Sequence, residues 1–105
     1  MEIRAVPEGK RIPVDNVLMT VVNTDPECFW LTNYVESYLT HVWYPSTVAT
    51  LSYGIKQVME MYLEATGGDM AALDFMLHDF GYRGATSDEA AAIGGAAHLV
   101  NFKGT

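Results

Sequence analysis

Cysteine is nearly absent from this sequence. Cys28 stands alone among 105 residues, so an intramolecular disulfide and a cysteine-rich zinc scaffold are both excluded. No apolar stretch approaches the roughly 18 residues of a membrane span, and no charged-then-apolar leader follows Met1. A soluble, reduced, cytoplasmic protein is therefore expected. Basic residues are also scarce: six Lys and Arg stand against 13 Asp and Glu, giving a formal charge of −7. The largest basic cluster is the pair Lys10-Arg11, so neither nucleic acid nor an anionic membrane is an expected partner. The three histidines (His41, His78, His98) share no metal-ligand spacing. There is no Walker loop, dinucleotide fingerprint or nucleophile elbow either, and no residue is assigned as catalytic or metal-binding. No repeat or linker divides the chain, so one fragment-sized domain is expected, too short for a (β/α)8 barrel of about 250 residues.

What is present is half apolar and 18% charged, a composition able to bury a modest core. Residues 1–23 read as a small β meander. Glu2-Ile3-Arg4-Ala5-Val6 alternates, Pro7-Glu8-Gly9-Lys10 is a turn, Arg11-Ile12-Pro13-Val14 suits an edge, and Val17-Leu18-Met19-Thr20-Val21-Val22 is rich in β formers. Residues 24–66 read as two helices. In Thr24-Asp25-Pro26-Glu27 either Asp25 or Thr24 can cap, Thr24 to Glu27 has capping-box spacing and Pro26 suits the first turn; Phe29, Leu31, Val35, Tyr38, Leu39 and Val42 then recur at helical intervals. Trp43-Tyr44-Pro45-Ser46 marks a break. A second helix over 46–66 then carries Val48, Leu51, Ile55, Val58, Met59, Tyr62 and Leu63 on its apolar side and ends at Gly67-Gly68.

Residues 69–105 read as strand, glycine loop, helix, strand. The strands are Leu73-Asp74-Phe75-Met76-Leu77-His78 and His98-Leu99-Val100-Asn101-Phe102, and the helix opens at the capping box Thr86-Ser87-Asp88-Glu89. Such a βαβ unit joins parallel strands, so the fold class is α/β, or α+β for an isolated piece. The small residues Gly94, Gly95, Ala96 and Ala97 suit a helix lying close on a sheet.

The loop between Leu77 and Glu89 carries the most chemistry. Ligands of parallel α/β folds sit where strand ends meet helix N-termini. That corner holds an aromatic ring (Phe80), a fixed cation (Arg83), two glycines and the N–H groups of a new helix. An Arg fork and free helix N–H groups suit phosphate oxygens, and the ring suits a planar heterocycle. A flat, phosphorylated ligand is the functional reading; structural punctuation by glycine is the other. His78 reads either as a hydrogen-bonded structural histidine or as a ligand contact.

Leu77-His78-Asp79-Phe80-Gly81-Tyr82-Arg83-Gly84, then Ile93-Gly94, then Ala97-His98-Leu99-Val100-Asn101-Phe102-Lys103-Gly104-Thr105 resemble the nicotinamide phosphoribosyltransferases. The resemblance continues upstream through Ala5-Val6-Pro7-Glu8-Gly9, Asn23-Thr24-Asp25-Pro26-Glu27-Cys28, Trp30-Leu31-Thr32-Asn33 and Trp43-Tyr44-Pro45. It implies transfer of a phosphoribosyl group from phosphoribosyl pyrophosphate to nicotinamide, with Mg²⁺ accompanying the pyrophosphate and no firmly bound cofactor. It also implies a fold that is part of the barrel of type II phosphoribosyltransferases. Carried over to matching positions, Phe80 is one face of an aromatic sandwich around the pyridine ring and Arg83 contacts phosphate. His78 and Phe75 line the approach to the ring site, and Asp79 and Tyr82 belong to the same substrate-binding motif.

The family's amide-holding aspartate, its later phosphate-binding cations and its second aromatic ring have no counterpart among these residues. Isolated, the chain is therefore expected to make no nicotinamide mononucleotide. Three states remain open: a subunit of a split transferase completed by other chains, an inert self-associating piece, or a module that binds nicotinamide or phosphate without turnover. Nicotinate is the alternative base.

Overall fold

A computed structural model describes residues 1–105, which divide into two compact units, Met1–His41 and Val42–Thr105. The fold is mixed: a two-stranded sheet and three α-helices, α1 (Leu31–Leu39), α2 (Trp43–Thr66) and α3 (Asp88–His98). No helix is long and apolar enough to cross a membrane.

In the N-terminal unit, β1 (Glu2–Ala5) pairs antiparallel with β2 (Met19–Val22), Glu2 opposite Val22 and Ala5 opposite Met19. Val6 N–H extends the ladder to the Leu18 carbonyl at 3.0 Å. The expected edge strand over 11–14 does not form. Asn16 donates its side-chain amide to the Pro13 and Val14 carbonyls, and Asp15 takes a left-handed φ of 63°. A residue in that conformation reverses the chain, and Pro13 has no N–H to offer a neighbour. The meander is thus a single hairpin.

Of the two candidate caps it is Asp25 that caps the next segment: its Oδ1 accepts the Glu27 N–H at 3.0 Å. What it caps is one tight turn, Pro26–Cys28, and α1 begins only at Leu31. Trp30, Tyr34 and Tyr38 form an exposed ring ladder, with centroids 6.0 and 5.8 Å apart.

In the C-terminal unit, α2 starts at Trp43 and contains Pro45, correcting the expected break. A proline in the first helical turn removes an N–H that has no intrahelical acceptor, so it costs the helix little. Gly67, at φ 67°, ends α2 as expected, with Gly68 N–H reaching back to the Leu63 carbonyl at 2.8 Å.

Both expected strands of the βαβ unit wind up instead. Asp69 accepts the Ala71 N–H and caps a tight helical turn over Met70–Phe75. At the other end α3 runs to His98, and the N–H groups of Leu99, Asn101 and Phe102 bond back to Gly95 and His98 carbonyls. Local helical bonds win where no strand lies alongside to form a ladder. One parallel bridge, His78 to Gly104, remains of the expected pairing.

The inward face of α2 also differs from expectation. Ser52 is its buried residue, whereas Leu51, Ile55, Val58 and Tyr62 are exposed. Val48, Lys56, Met59 and Leu63 are half-buried at helical spacing from Ser52. The small-residue stretch of α3 packs on this helix and not on a sheet: a Cβ at Gly94 would lie 2.7 Å from the Tyr44 phenolic oxygen.

The core of this unit is small, comprising Leu73, Ala97 and Phe102 with the polar pair Ser52 and His98. At its margin Asp74 accepts from Lys56 Nζ and Lys103 Nζ, each at 2.7 Å, while Lys56 Nζ also donates to the Asn101 carbonyl. The Lys103 hydrogen bond first, then that of Lys56, holds the Asp74 carboxyl down at about 2. A carboxyl depressed on folding stabilises the fold above its unfolded pKa of about 3.9, and that contribution disappears as pH falls through the folded value. Acid titration of urea unfolding is expected to show stability falling between about pH 4 and pH 2, and Asp74→Asn to flatten that segment. An unchanged pH profile in the variant would refute the linkage.

Candidate functional site

The site residues expected from sequence lie on a loop that opens at the parallel bridge and closes at the N-terminus of α3, except Phe75, which ends the tight turn before it. Asp79 is half-buried and accepts the Gly81 N–H at 2.8 Å, which fixes the start of the tight turn Gly81–Gly84. Its other carboxylate oxygen faces Gly95 of α3, 3.6 Å from where a Cβ would stand, an ordinary van der Waals distance. Asp79 thus shapes the loop.

Tyr82 donates its hydroxyl to Asp88 Oδ1 at 2.7 Å, tying the turn to the first residue of α3, and that bond raises the phenol above its ordinary pKa. His78 donates from Nε2 to the Phe75 carbonyl at 3.0 Å, and its ring lies against Gly104. Phe75 therefore contributes its backbone oxygen to the loop, while its ring is exposed.

Phe80 and Arg83 differ from these four. The Phe80 ring is 75% exposed and pairs with the His78 ring at a centroid distance of 6.3 Å and a tilt of 49°. Arg83 is exposed and pairs with no carboxylate. No hydrogen bond or ring contact joins the two. One face of an aromatic ring and one unpaired guanidinium on a fastened loop can stack a flat heterocycle and hold an anionic oxygen.

The N-terminus of α3 is less available to an anion than the sequence suggests. Ser87 Oγ accepts the Ala90 N–H at 3.1 Å, and Asp88 and Glu89 already place negative charge in the first turn. Arg83 is the loop's one cation, and it is exposed and pairs with no carboxylate. No group of three or more His, Cys, Asp or Glu side chains gathers to hold a metal.

Sequence reasoning missed the support beneath the loop. His98 and Ser52 meet at 2.9 Å across 46 residues, and Asp74 joins Lys56 to Lys103. No spacing rule reaches such pairs; the one local signal is a serine amid the apolar residues of α2.

Residues 75–105 match the family model described as the nicotinate phosphoribosyltransferase (NAPRTase) family. The whole chain is similar to proteins named nicotinamide phosphoribosyltransferase: 54% identical to that of Xanthomonas campestris pv. campestris over 106 aligned positions, covering 100% of this chain and 23% of the relative. Identity to the Acinetobacter baylyi protein is 39%, covering 100% of this chain and 21% of the relative. The Mycoplasma pneumoniae protein is 34% identical over 84% of this chain and 20% of its own length. The chain thus spans between a fifth and a quarter of these relatives. No solved structure matches.

Proposed function

This chain belongs by sequence to the nicotinate and nicotinamide phosphoribosyltransferase family, and from that premise we propose that it is the segment of a nicotinamide phosphoribosyltransferase that presents one ring face and one phosphate-binding cation to the substrates. The reaction joins nicotinamide to the ribose of phosphoribosyl pyrophosphate and releases pyrophosphate. One observation carries the assignment of residues. The loop's other four named residues are engaged by its own hydrogen bonds, whereas Phe80 and Arg83 are left free. Phe80 offers its face to the pyridine ring, Arg83 takes a phosphate oxygen, and His78 and Phe75 border the approach. Asp79 and Tyr82 hold the turn in shape, so that little order is lost when substrate binds. Mg²⁺ would accompany the pyrophosphate and help to neutralise it.

The single parallel bridge supports reading α3 as the crossover of one βαβ unit within a larger barrel. Exposed Trp30, Tyr34, Tyr38, Trp43, Leu51 and Tyr62, set against three buried hydrophobic residues, support a chain that works covered by further protein. That cover is either a second copy or complementary transferase chains. Alone, the 105 residues are read as a binding surface that makes no nicotinamide mononucleotide and has a solution mass above 11.6 kDa. Light scattering on the purified chain tests the mass, and a clean monomer would refute self-association.

A graft tests the function. Placed in the Xanthomonas relative instead of its own corresponding stretch, this chain is expected to support nicotinamide mononucleotide formation. In that graft Phe80→Ala and Arg83→Ala are each expected to lower kcat/KM by about tenfold, the scale of one stacking or charge-assisted contact. A folded graft without product would overturn the assignment, and preference for nicotinate would shift the base.

A further inference from the structure

Beneath the candidate loop lies a buried imidazole that neither ring stacking nor phosphate binding uses. His98 is 4% exposed, and Ser52, at 5%, is the only other buried polar side chain of the chain. Ser52 Oγ lies 2.9 Å from His98 Nδ1, and the Leu77 carbonyl oxygen lies 3.1 Å from His98 Nε2. A carbonyl has no proton to give, so Nε2 must carry one; Nδ1 is then free to accept the serine O–H. The neutral Nε2–H tautomer satisfies both contacts and leaves no buried charge. The ring is further fixed by parallel stacking on Phe102, with centroids 5.1 Å apart and planes 10° apart.

The carbonyl that His98 holds belongs to the peptide linking Leu77 to His78. Fixing it fixes the plane from which His78, Asp79 and Phe80 set out. His78 repeats the device two residues earlier in the chain, its own Nε2 holding the Phe75 carbonyl. Two imidazoles thus pin two backbone oxygens in the segment that leads to Phe80.

We propose that His98 is a positioning residue for the substrate loop: through Nε2–H it clamps the Leu77 carbonyl, Ser52 braces the ring from its Nδ1 side, and together they decide where Phe80 stands. The role of Phe80 rests on the reading given above; the clamp itself is testable without substrate. Long-range nitrogen correlation spectra of the chain at neutral pH should show His98 protonated at Nε2 and bare at Nδ1. His98→Leu should shift the backbone amide resonances of residues 78–83 while leaving hydrogen-exchange protection in α2 intact. His98→Gln, whose side-chain amide N–H can reach the same carbonyl, should restore them; a merely space-filling role predicts no such rescue. Ser52→Ala gives a second route should His98→Leu fail to fold, and it should move the same amides because the ring loses its partner at Nδ1.

An Nδ1–H tautomer, or loop resonances unmoved by these variants, would overturn the clamp. In the same samples nicotinamide should shift the Phe80 resonances of the unsubstituted chain, and His98→Leu should weaken that binding about tenfold. An unsubstituted chain indifferent to nicotinamide would overturn the functional reading, with the clamp still decided by the ligand-free spectra.

Discussion

Phe102→Ala is expected to unfold most of the C-terminal unit at room temperature. Phe102 is 1% exposed and is the largest fully buried side chain. One face of its ring is stacked on His98, and Lys56 Nζ lies 5.4 Å from its centroid. Removing a buried phenyl ring costs about 3–5 kcal/mol, part transfer and part residual cavity. A unit of this size holds roughly 3–10 kcal/mol in total. Few other side chains can move in to fill the gap, because Leu73 and Ala97 are the only other buried hydrophobic residues. The loss should be complete in its effect on His98, whose stacking partner is gone, and through it on the loop. Urea unfolding followed by far-ultraviolet circular dichroism measures it, with Phe102→Leu expected to keep much of the stability. A Phe102→Ala midpoint close to that of the unsubstituted chain would mean that the core lies elsewhere.

This dependence on one ring explains which parts of the molecule were legible in the sequence. Signals that act over a few residues came through. The Asp25-Pro26 cap, the Gly67 terminus of α2 and the acidic opening of α3 appear where local chemistry puts them, within one or a few residues. The candidate loop was legible as well, because Phe80, Arg83 and their glycines are contiguous.

What depended on distant partners was not legible. The runs 73–78 and 98–102 are short and apolar, and periodicity alone does not separate strand from helical turn in such runs. The Asp69 cap and the absence of a flanking strand decided for the turn. The apolar side expected of α2 assumed that hydrophobicity chooses the buried face. Ser52 and Lys56 turn inward instead because His98, Asp74 and the Asn101 carbonyl wait there. A buried hydroxyl with a good partner costs little, and the exposed leucine, isoleucine and valine alongside are the consequence.

Gly104→Ala should do the second largest damage, and to the site rather than the core. A Cβ at Gly104 would lie 2.5 Å from His78 Nδ1 and 3.0 Å from Nε2, inside the distance that carbon and nitrogen tolerate. Gly104 does not sit at positive φ, so backbone strain plays no part and the penalty is purely steric. To make room the imidazole must swing away. It then gives up the Phe75 carbonyl and its neighbour Phe80. The combined cost is about 2 kcal/mol, within the range for overpacking, partly offset by the lower entropy of the unfolded alanine chain. Because the damage passes through one ring, the pair should be strongly non-additive. In a His78→Ala background the new methyl group has space, and Gly104→Ala should then cost less than about 0.5 kcal/mol. A double-mutant cycle on urea unfolding measures the coupling. Additive costs would show that the methyl strains the backbone or the terminus of the chain instead of the imidazole, and would remove His78 from the account of how Gly104 supports the loop.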